Sequence, residues 1–231
     1  MKGLLIFDLD GVLVDVSDSY RETIIRTIEH FTGRRVTREF IQDIKNQGGF
    51  NDDFQLSHKV CRDFGVDPGY EQVVACFQSI FLGKNNDGPI LQERWIPRNG
   101  LFDRLAERWR FAIFTGRTRD EARLTLDRFA RAVVFDPIIG NQEVENQKPA
   151  PDGLLKILAA HPAAAAVYLG DNIDDARSAR AADVPFIGVT HAPELSSLFR
   201  AEGSRAVIAS INEVEPLLSS TEPRPSESGQ P

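Results

Sequence analysis

The sequence predicts an α/β fold: a doubly wound parallel sheet with a block of helices inserted after its first strand. Three observations carry this. A continuous apolar run, Leu4-Leu5-Ile6-Phe7, stops abruptly at two acids and a glycine, Asp8, Asp10 and Gly11. From about residue 98 onward, short apolar runs alternate with amphipathic segments of about ten residues, the pattern of βαβ units and a parallel sheet. Between the two, over residues 15–92, the apolar spacing is helical and no stretch reads as a strand.

Taken in order, Gly3 to Phe7 reads as a buried strand. Ser19-Tyr20-Arg21-Glu22 has the form of a capping box, and Ile24, Ile25, Ile28 and Phe31 follow at helical spacing up to Gly33. Thr37 can cap a second helix with Phe40, Ile41 and Ile44 on one face, broken at Gly48-Gly49. A third helix is predicted from Asp52 to Phe64 and a fourth from Glu71 to Leu82, each stopped by a glycine. Residues 84–97 are rich in turn formers and read as a linker. Then come a helix over Leu101–Trp109, a strand over Phe111–Phe114, a helix opened by the capping box Thr118-Arg119-Asp120-Glu121, and a strand over Ala132–Phe135. A helix over Asp152–Ala160, a strand over Ala164–Leu169, a helix over Asp174–Ala182, and strands over Pro185–Val189 and Ala206–Ala209 complete the pattern. The division that follows is a core of residues 1–14 and 98–218, a four-helix unit at 15–97, and a tail, 219–231, with no apolar content and hence expected to be disordered.

Bulk composition narrows the function. With 231 residues, 42% of them hydrophobic, the chain can bury a substantial core. A net charge of −7 argues against non-specific binding of nucleic acid or of an anionic membrane surface. No apolar run approaches the ~20 residues needed to span a bilayer. No signal-peptide pattern precedes the first strand, so a cytoplasmic location is expected. Cys61 and Cys76 read as two reduced thiols, and His30, His58, His161 and His191 show no metal-ligand spacing. The oligomeric state is left open.

Open parallel sheets bind ligands beyond the carboxyl ends of their strands. Here those ends carry Asp8 and Asp10; Thr115, Gly116 and Arg117; Lys148; and Asp171, Asp174 and Asp175. If they share one rim, the carboxylates repel one another unless a hard divalent cation such as Mg²⁺ joins them. A cation, an ammonium, a hydroxyl and free amides together suit a phosphoryl group. One carboxylate can then serve as nucleophile and a second can handle protons.

In these motifs the chain resembles the haloacid dehalogenase (HAD) superfamily of phosphohydrolases, in the group with a helical cap between the first and second motifs. Asp8-Leu9-Asp10-Gly11-Val12, Thr115-Gly116, Lys148-Pro149-Ala150-Pro151 and Gly170-Asp171 with Asp175 match its four motifs in order over residues 1–190. The resemblance implies a HAD-like Rossmannoid core and a Mg²⁺-dependent phosphatase of a small phosphorylated metabolite. It implies Asp8 as a nucleophile that becomes an aspartyl-phosphate and Asp10 as general acid/base, with its backbone carbonyl on the metal. Thr115 and Lys148 would hold phosphoryl oxygens, Asp8 and Asp171 would ligate Mg²⁺, and Asp175 would orient Lys148 or a metal-bound water from behind. The dehalogenases and phosphonate hydrolases of the superfamily lack an acid at the place of Asp10, so its presence points to phosphate esters, whose leaving alkoxide needs a proton. Where the family often has glycine this chain has Asp183, and Asn172 replaces a common serine.

Alternatives stand beside these expectations. A phosphomutase of the same superfamily shares the four motifs, and a non-catalytic phospho-ligand-binding module would keep the fold. Arg117 either grips substrate or pairs with Asp120 on the surface. The stretch Lys45 to Asn51, between two cap helices, is expected to reach over the site, with Lys45 and Asn51 as substrate-binding candidates. Phe50 is expected in the core, with closing the pocket as its alternative, and Arg21 on a solvated face, with the cleft as its alternative.

Overall fold

The computed structural model describes residues 2–50, 52–85, 87–163 and 165–218. The chain enters through β1 (Gly3–Phe7) and leaves the sheet through a two-residue strand, β2 (Val14–Asp15). Four helices follow: α1 (Tyr20–Thr32), α2 (Arg38–Gln47), α3 (Asp53–Asp63) and α4 (Tyr70–Leu82). The chain returns through β3 (Arg94–Trp95), which pairs antiparallel with β2. Then come α5 (Leu101–Ala106), β4 (Trp109–Phe114), α6 (Arg119–Phe129), β5 (Phe135–Ile139), α7 (Asp152–Ala160), β6 (Ala166–Gly170), α8 (Ile173–Ala181), β7 (Phe186–Val189), α9 (Pro193–Ala201), β8 (Ala206–Ile208) and α10 (Glu215–Leu218).

The main sheet has the order β5-β4-β1-β6-β7-β8, and every neighbouring pair is parallel. From β1 the chain winds outward through β4 and β5. It then crosses back to β6 on the other side of β1 and winds outward again. The reversal opens a crevice at the carboxyl ends of β1 and β6, the place where such sheets bind ligands. Alternation along β1 feeds two cores. Leu5 and Phe7 face a cluster shared with α5, α6 and the inserted helices, and Leu4 and Ile6 face one built on α7, α8 and α9.

Several sequence expectations shift. The segment 15–97 is not wholly helical: β2 and β3 form a ribbon through which the insert leaves and returns, and Pro89–Gln92 makes a 3₁₀ turn in the expected linker. The strand expected at Ala132–Phe135 lies at Phe135–Ile139, and Val134, 77% exposed, precedes it. Pro137 is tolerated there because β5 is the sheet edge. The helix expected to reach Trp109 ends at Ala106, and Trp109 begins β4, packed over Gly3. Helices α9 and α10 were not foreseen. Ser19 precedes α1 but does not cap it; its hydroxyl turns back toward the Val16 carbonyl (3.4 Å). Phe40, expected to be buried beside Ile41 and Ile44, is 37% exposed and stacks on Phe64. Thr37 and Thr118 cap α2 and α6 as expected. Asp183 adopts the left-handed conformation (φ 55°) that a glycine would take at that turn. The first residue of the strand expected at Ala164 and the tail 219–231 lie outside the described residues.

An aromatic cluster anchors the sheet beneath β1. Phe102 on α5 meets Phe7 and Phe135 edge to face at centroid distances of 5.9 and 5.3 Å. Phe102→Ala empties a site that its neighbours cannot close. It is expected to cost about 3–5 kcal/mol in urea unfolding; a loss under about 1 kcal/mol would contradict this packing role.

Candidate active site

Asp8 follows β1 directly, and its backbone N–H donates to the Leu169 carbonyl of β6 (2.8 Å), which fixes it at the crevice. Its side chain is buried, and Lys148 Nζ donates to its Oδ1 at 3.0 Å. The same ammonium lies 2.7 Å from Asp175 Oδ1. Asp175 in turn accepts from the Tyr168 hydroxyl (2.7 Å) and from the Asn172 backbone N–H (3.0 Å). Burial pushes Asp8 well above the usual carboxylate range; Lys148 opposes that, while Asp175, Asp171 and Asp10 add to it. Burial acts to lower Lys148, but Asp175 and Asp8 outweigh it and raise it.

Asp171 follows β6. Its carboxylate, with those of Asp8 and Asp175, offers oxygens that all lie within 4.8 Å of one another. Burial, then Asp175, push Asp171 up to about 7, against the pull of Arg21 and Lys45. Gly11 makes the close approach possible. It stands at φ 71°, and a Cβ built on it falls 1.9 Å from Asp171 Oδ2. Asp175 is engaged through both oxygens, by Lys148, Tyr168 and an amide, whereas Asp8 meets Lys148 through Oδ1 and Asp171 has no ion-pair partner among the described residues, so Asp8 and Asp171 could hold a cation. Hard carboxylate oxygens so crowded fit Mg²⁺.

The second strand end brings Thr115, buried, with its hydroxyl accepting from the Arg117 N–H (3.2 Å). Gly116 lines a small cavity of about 30 Å³ together with Asp8, Asp10 and Asp171. From the insert, Tyr20, Arg21, Gln42, Lys45 and Asp53 close that cavity. A larger cavity of about 580 Å³ adjoins it and shares Arg21, Gln42 and Asp171.

Arg117 is where the sequence expectation departs most from the structure. It neither pairs with Asp120 on the surface nor turns its donors to the cavity. Its side chain is fully buried; Nε and Nη2 donate to Asp10 Oδ1 (2.8 and 2.5 Å), and Nη2 lies 2.7 Å from Glu93 Oε1. Lys45 lines the cavity but is ion-paired to Asp53 (2.6 Å). Asn51 lies outside the described residues. Phe50 packs against the core. Asp174 is fully buried and accepts from the Gly49 N–H with both oxygens (2.9 and 2.7 Å), which docks the α2–α3 loop on α8.

Sequence reasoning missed Glu93, Tyr168 and Tyr20; Arg21 takes the cleft-facing alternative and lines the cavity rather than lying on a solvated face. Tyr168 carried a readable signal: a phenol inside an otherwise apolar strand, whose hydroxyl needs a buried partner. Glu93 carried none, because its partner Arg117 is brought to it by the sheet.

Comparison with known proteins gives the family and the fold. The profile of the family described as haloacid dehalogenase-like hydrolase matches residues 5–189. The chain is 33% identical over 195 residues to an imidazoleglycerol-phosphate dehydratase of Phytophthora nicotianae, covering 80% of this chain but 42% of that protein, so it spans less than half of that relative. It is 26% identical over 196 residues to a phosphoglycolate phosphatase of Agrobacterium fabrum, covering 82% of this chain and 81% of that one. Among solved structures, a hydrolase from Pseudomonas syringae shares the fold at a TM-score of 0.68 and 18% identity, covering 96% of this chain and all (100%) of that one. Among the described residues no helix is long and apolar enough to cross a membrane.

The raised Asp171 gives a signed prediction. A carboxyl favoured in its protonated form by the fold contributes stability at low pH and loses it as pH rises from its ordinary 3.8 through about 7. In EDTA, the melting temperature of Asp171→Asn should therefore exceed that of the wild type at pH 7 and converge toward it by about pH 4. A variant less stable at pH 7 than at pH 4, relative to wild type, would contradict the assignment.

Proposed function

The chain belongs to the haloacid dehalogenase-like hydrolase family, and on that membership we propose that it is a Mg²⁺-dependent phosphatase of a small phosphorylated metabolite, acting through an aspartyl-phosphate. The observation that carries the reading is the meeting of Asp8, Lys148 and Asp171 at the crevice between β1 and β6, beside a cavity closed by the insert. Residues 140 positions apart in sequence are joined there by one ammonium.

In this reading Asp8 attacks phosphorus, and Asp10, which lines the same cavity, hands a proton to the departing ester oxygen. Thr115, Gly116 and Lys148 steady the phosphoryl oxygens, with the Lys148 position set from behind by Asp175 and Tyr168. Asp10 then takes a proton from the water that releases phosphate from Asp8. Asp8, Asp171 and the Asp10 backbone carbonyl would hold Mg²⁺, which when bound supplies positive charge against the phosphoryl oxygens and the crowded acids. The four-helix insert acts as a cap. Its α1 and α2 wall the cavity and favour a small substrate by excluding water and bulky leaving groups. The phosphoglycolate phosphatase among its relatives supports phosphate-transfer chemistry.

A screen of phosphorylated metabolites with Mg²⁺ should give orthophosphate without any activating bisphosphate, and EDTA should abolish it. Release that persists in EDTA would contradict the metal site, and dependence on a bisphosphate would turn the reading to a mutase. Asp8→Asn should lower kcat by at least about 10³-fold. Because burial disfavours the Asp8 charge, the variant should melt no lower than wild type in EDTA at neutral pH. Full activity in Asp8→Asn would remove the nucleophile.

A further inference from the structure

We propose that Arg117 is a positioning residue for Asp10, fixing the direction of its carboxylate and tying that direction to both ends of the helical insert. The inference rests on the reading of Asp10 as the proton-transfer group. Arg117 follows β4, and its guanidinium is engaged on every side. Nε and Nη2 both donate to Asp10 Oδ1, Nη2 is ion-paired with Glu93 Oε1 at 2.7 Å, and Nη1 donates to Thr125 Oγ1 (2.9 Å). The Tyr20 ring covers one face, with the guanidinium carbon 4.4 Å from its centroid. Thr125 closes the ring by donating to Glu93 Oε2 (2.7 Å).

These partners come from separate parts of the chain. Tyr20 opens α1 as the insert begins, Glu93 precedes β3 as it ends, and Thr125 stands on α6 of the sheet. A planar fork of donors can hold Asp10 and Glu93 together in fixed geometry; a single ammonium cannot do so as rigidly. Both contacts fall on Oδ1, which leaves Oδ2 of Asp10 to carry a proton. As the ester P–O bond breaks, that proton passes from Oδ2 to the leaving oxygen while Oδ1 stays held. Water returns a proton to Oδ2 as its oxygen bonds phosphorus and the bond to Asp8 breaks. An acid held in this way is in place before substrate arrives, and a displacement of about 1 Å can cost about 10²-fold in rate.

The test uses leaving groups of different need. An alkyl phosphate (the fastest from the metabolite screen) requires a proton on its leaving oxygen, and p-nitrophenyl phosphate hardly does. The value of kcat/KM reports the step in which that group departs. Arg117→Lys should lower kcat/KM about 10- to 100-fold for the alkyl ester and less than about threefold for the aryl ester. Thr125→Val, which removes the Nη1 acceptor without approaching substrate, should shift the ratio in the same direction by a smaller factor. It carries the test should Arg117→Lys not fold. Equal losses on both esters, or an unchanged ratio in folded Thr125→Val, would overturn the proposal. Asp10→Asn separates the two readings. If it shows no leaving-group dependence, the proton-transfer assignment fails. If it shows one and folded Arg117→Lys does not, only the positioning role fails.

Discussion

A lysine ammonium held between two buried carboxylates is the interaction on which the rest of this structure depends. Lys148 spans Asp8 and Asp175 at 3.0 and 2.7 Å. Without it, the buried acids at the end of β1 and in the first turn of α8 would face each other with no cation between them. Removing Lys148 would leave two buried carboxylates without their cation, and breaking a buried ion pair in that way typically costs about 3–5 kcal/mol. The arrangement places Lys148 where its charge serves the fold and also lies beside the proposed nucleophile. The rings of Phe114 and Tyr168, 4.7 and 5.4 Å from Nζ, keep the ammonium's other sides out of water.

The acids of the rim are divided among separate partners. Asp8 and Asp175 share Lys148, Asp10 has Arg117, and Asp174 has the Gly49 amide. Among the described residues, Asp171 has no ammonium or guanidinium within ion-pairing distance, and it is pushed up to about 7. An acid left over in an otherwise compensated cluster is the natural place for the proposed Mg²⁺. The same partition links the insert to the sheet. Asp174 holds the α2–α3 loop, Arg117 holds Glu93 and Tyr20, and Glu121 accepts from the Tyr20 hydroxyl (3.1 Å).

Much of this was legible in the sequence, and what was not has physical reasons. The strand β1, the four inserted helices and the alternation after residue 98 follow from apolar periodicity, which local chain geometry enforces. The rim chemistry followed from strand ends in a parallel sheet. The β2–β3 ribbon was invisible because each strand has two residues and the partners lie about eighty positions apart. β5 was misplaced because Val133 and Val134 look like strand residues while Pro137 does not, and only the edge position reverses that reading. For Arg117 the neighbouring Asp120 offers an obvious surface partner; its two ion-pair partners, Asp10 and Glu93, arrive from distant segments, and only Thr125 lies nearby in sequence. Local patterns predict local structure well, and buried ion networks depend on contacts that no window of sequence contains.

The most direct test of the account is to mix the protein with Mg²⁺ and its best phosphate ester, quench in acid within one turnover, and locate any added phosphoryl group by mass spectrometry of the peptides. The account predicts the group on Asp8 and its disappearance on longer incubation before the quench once substrate is exhausted. A phosphoryl group on another residue, or steady release of phosphate with Asp8 never modified, would contradict it.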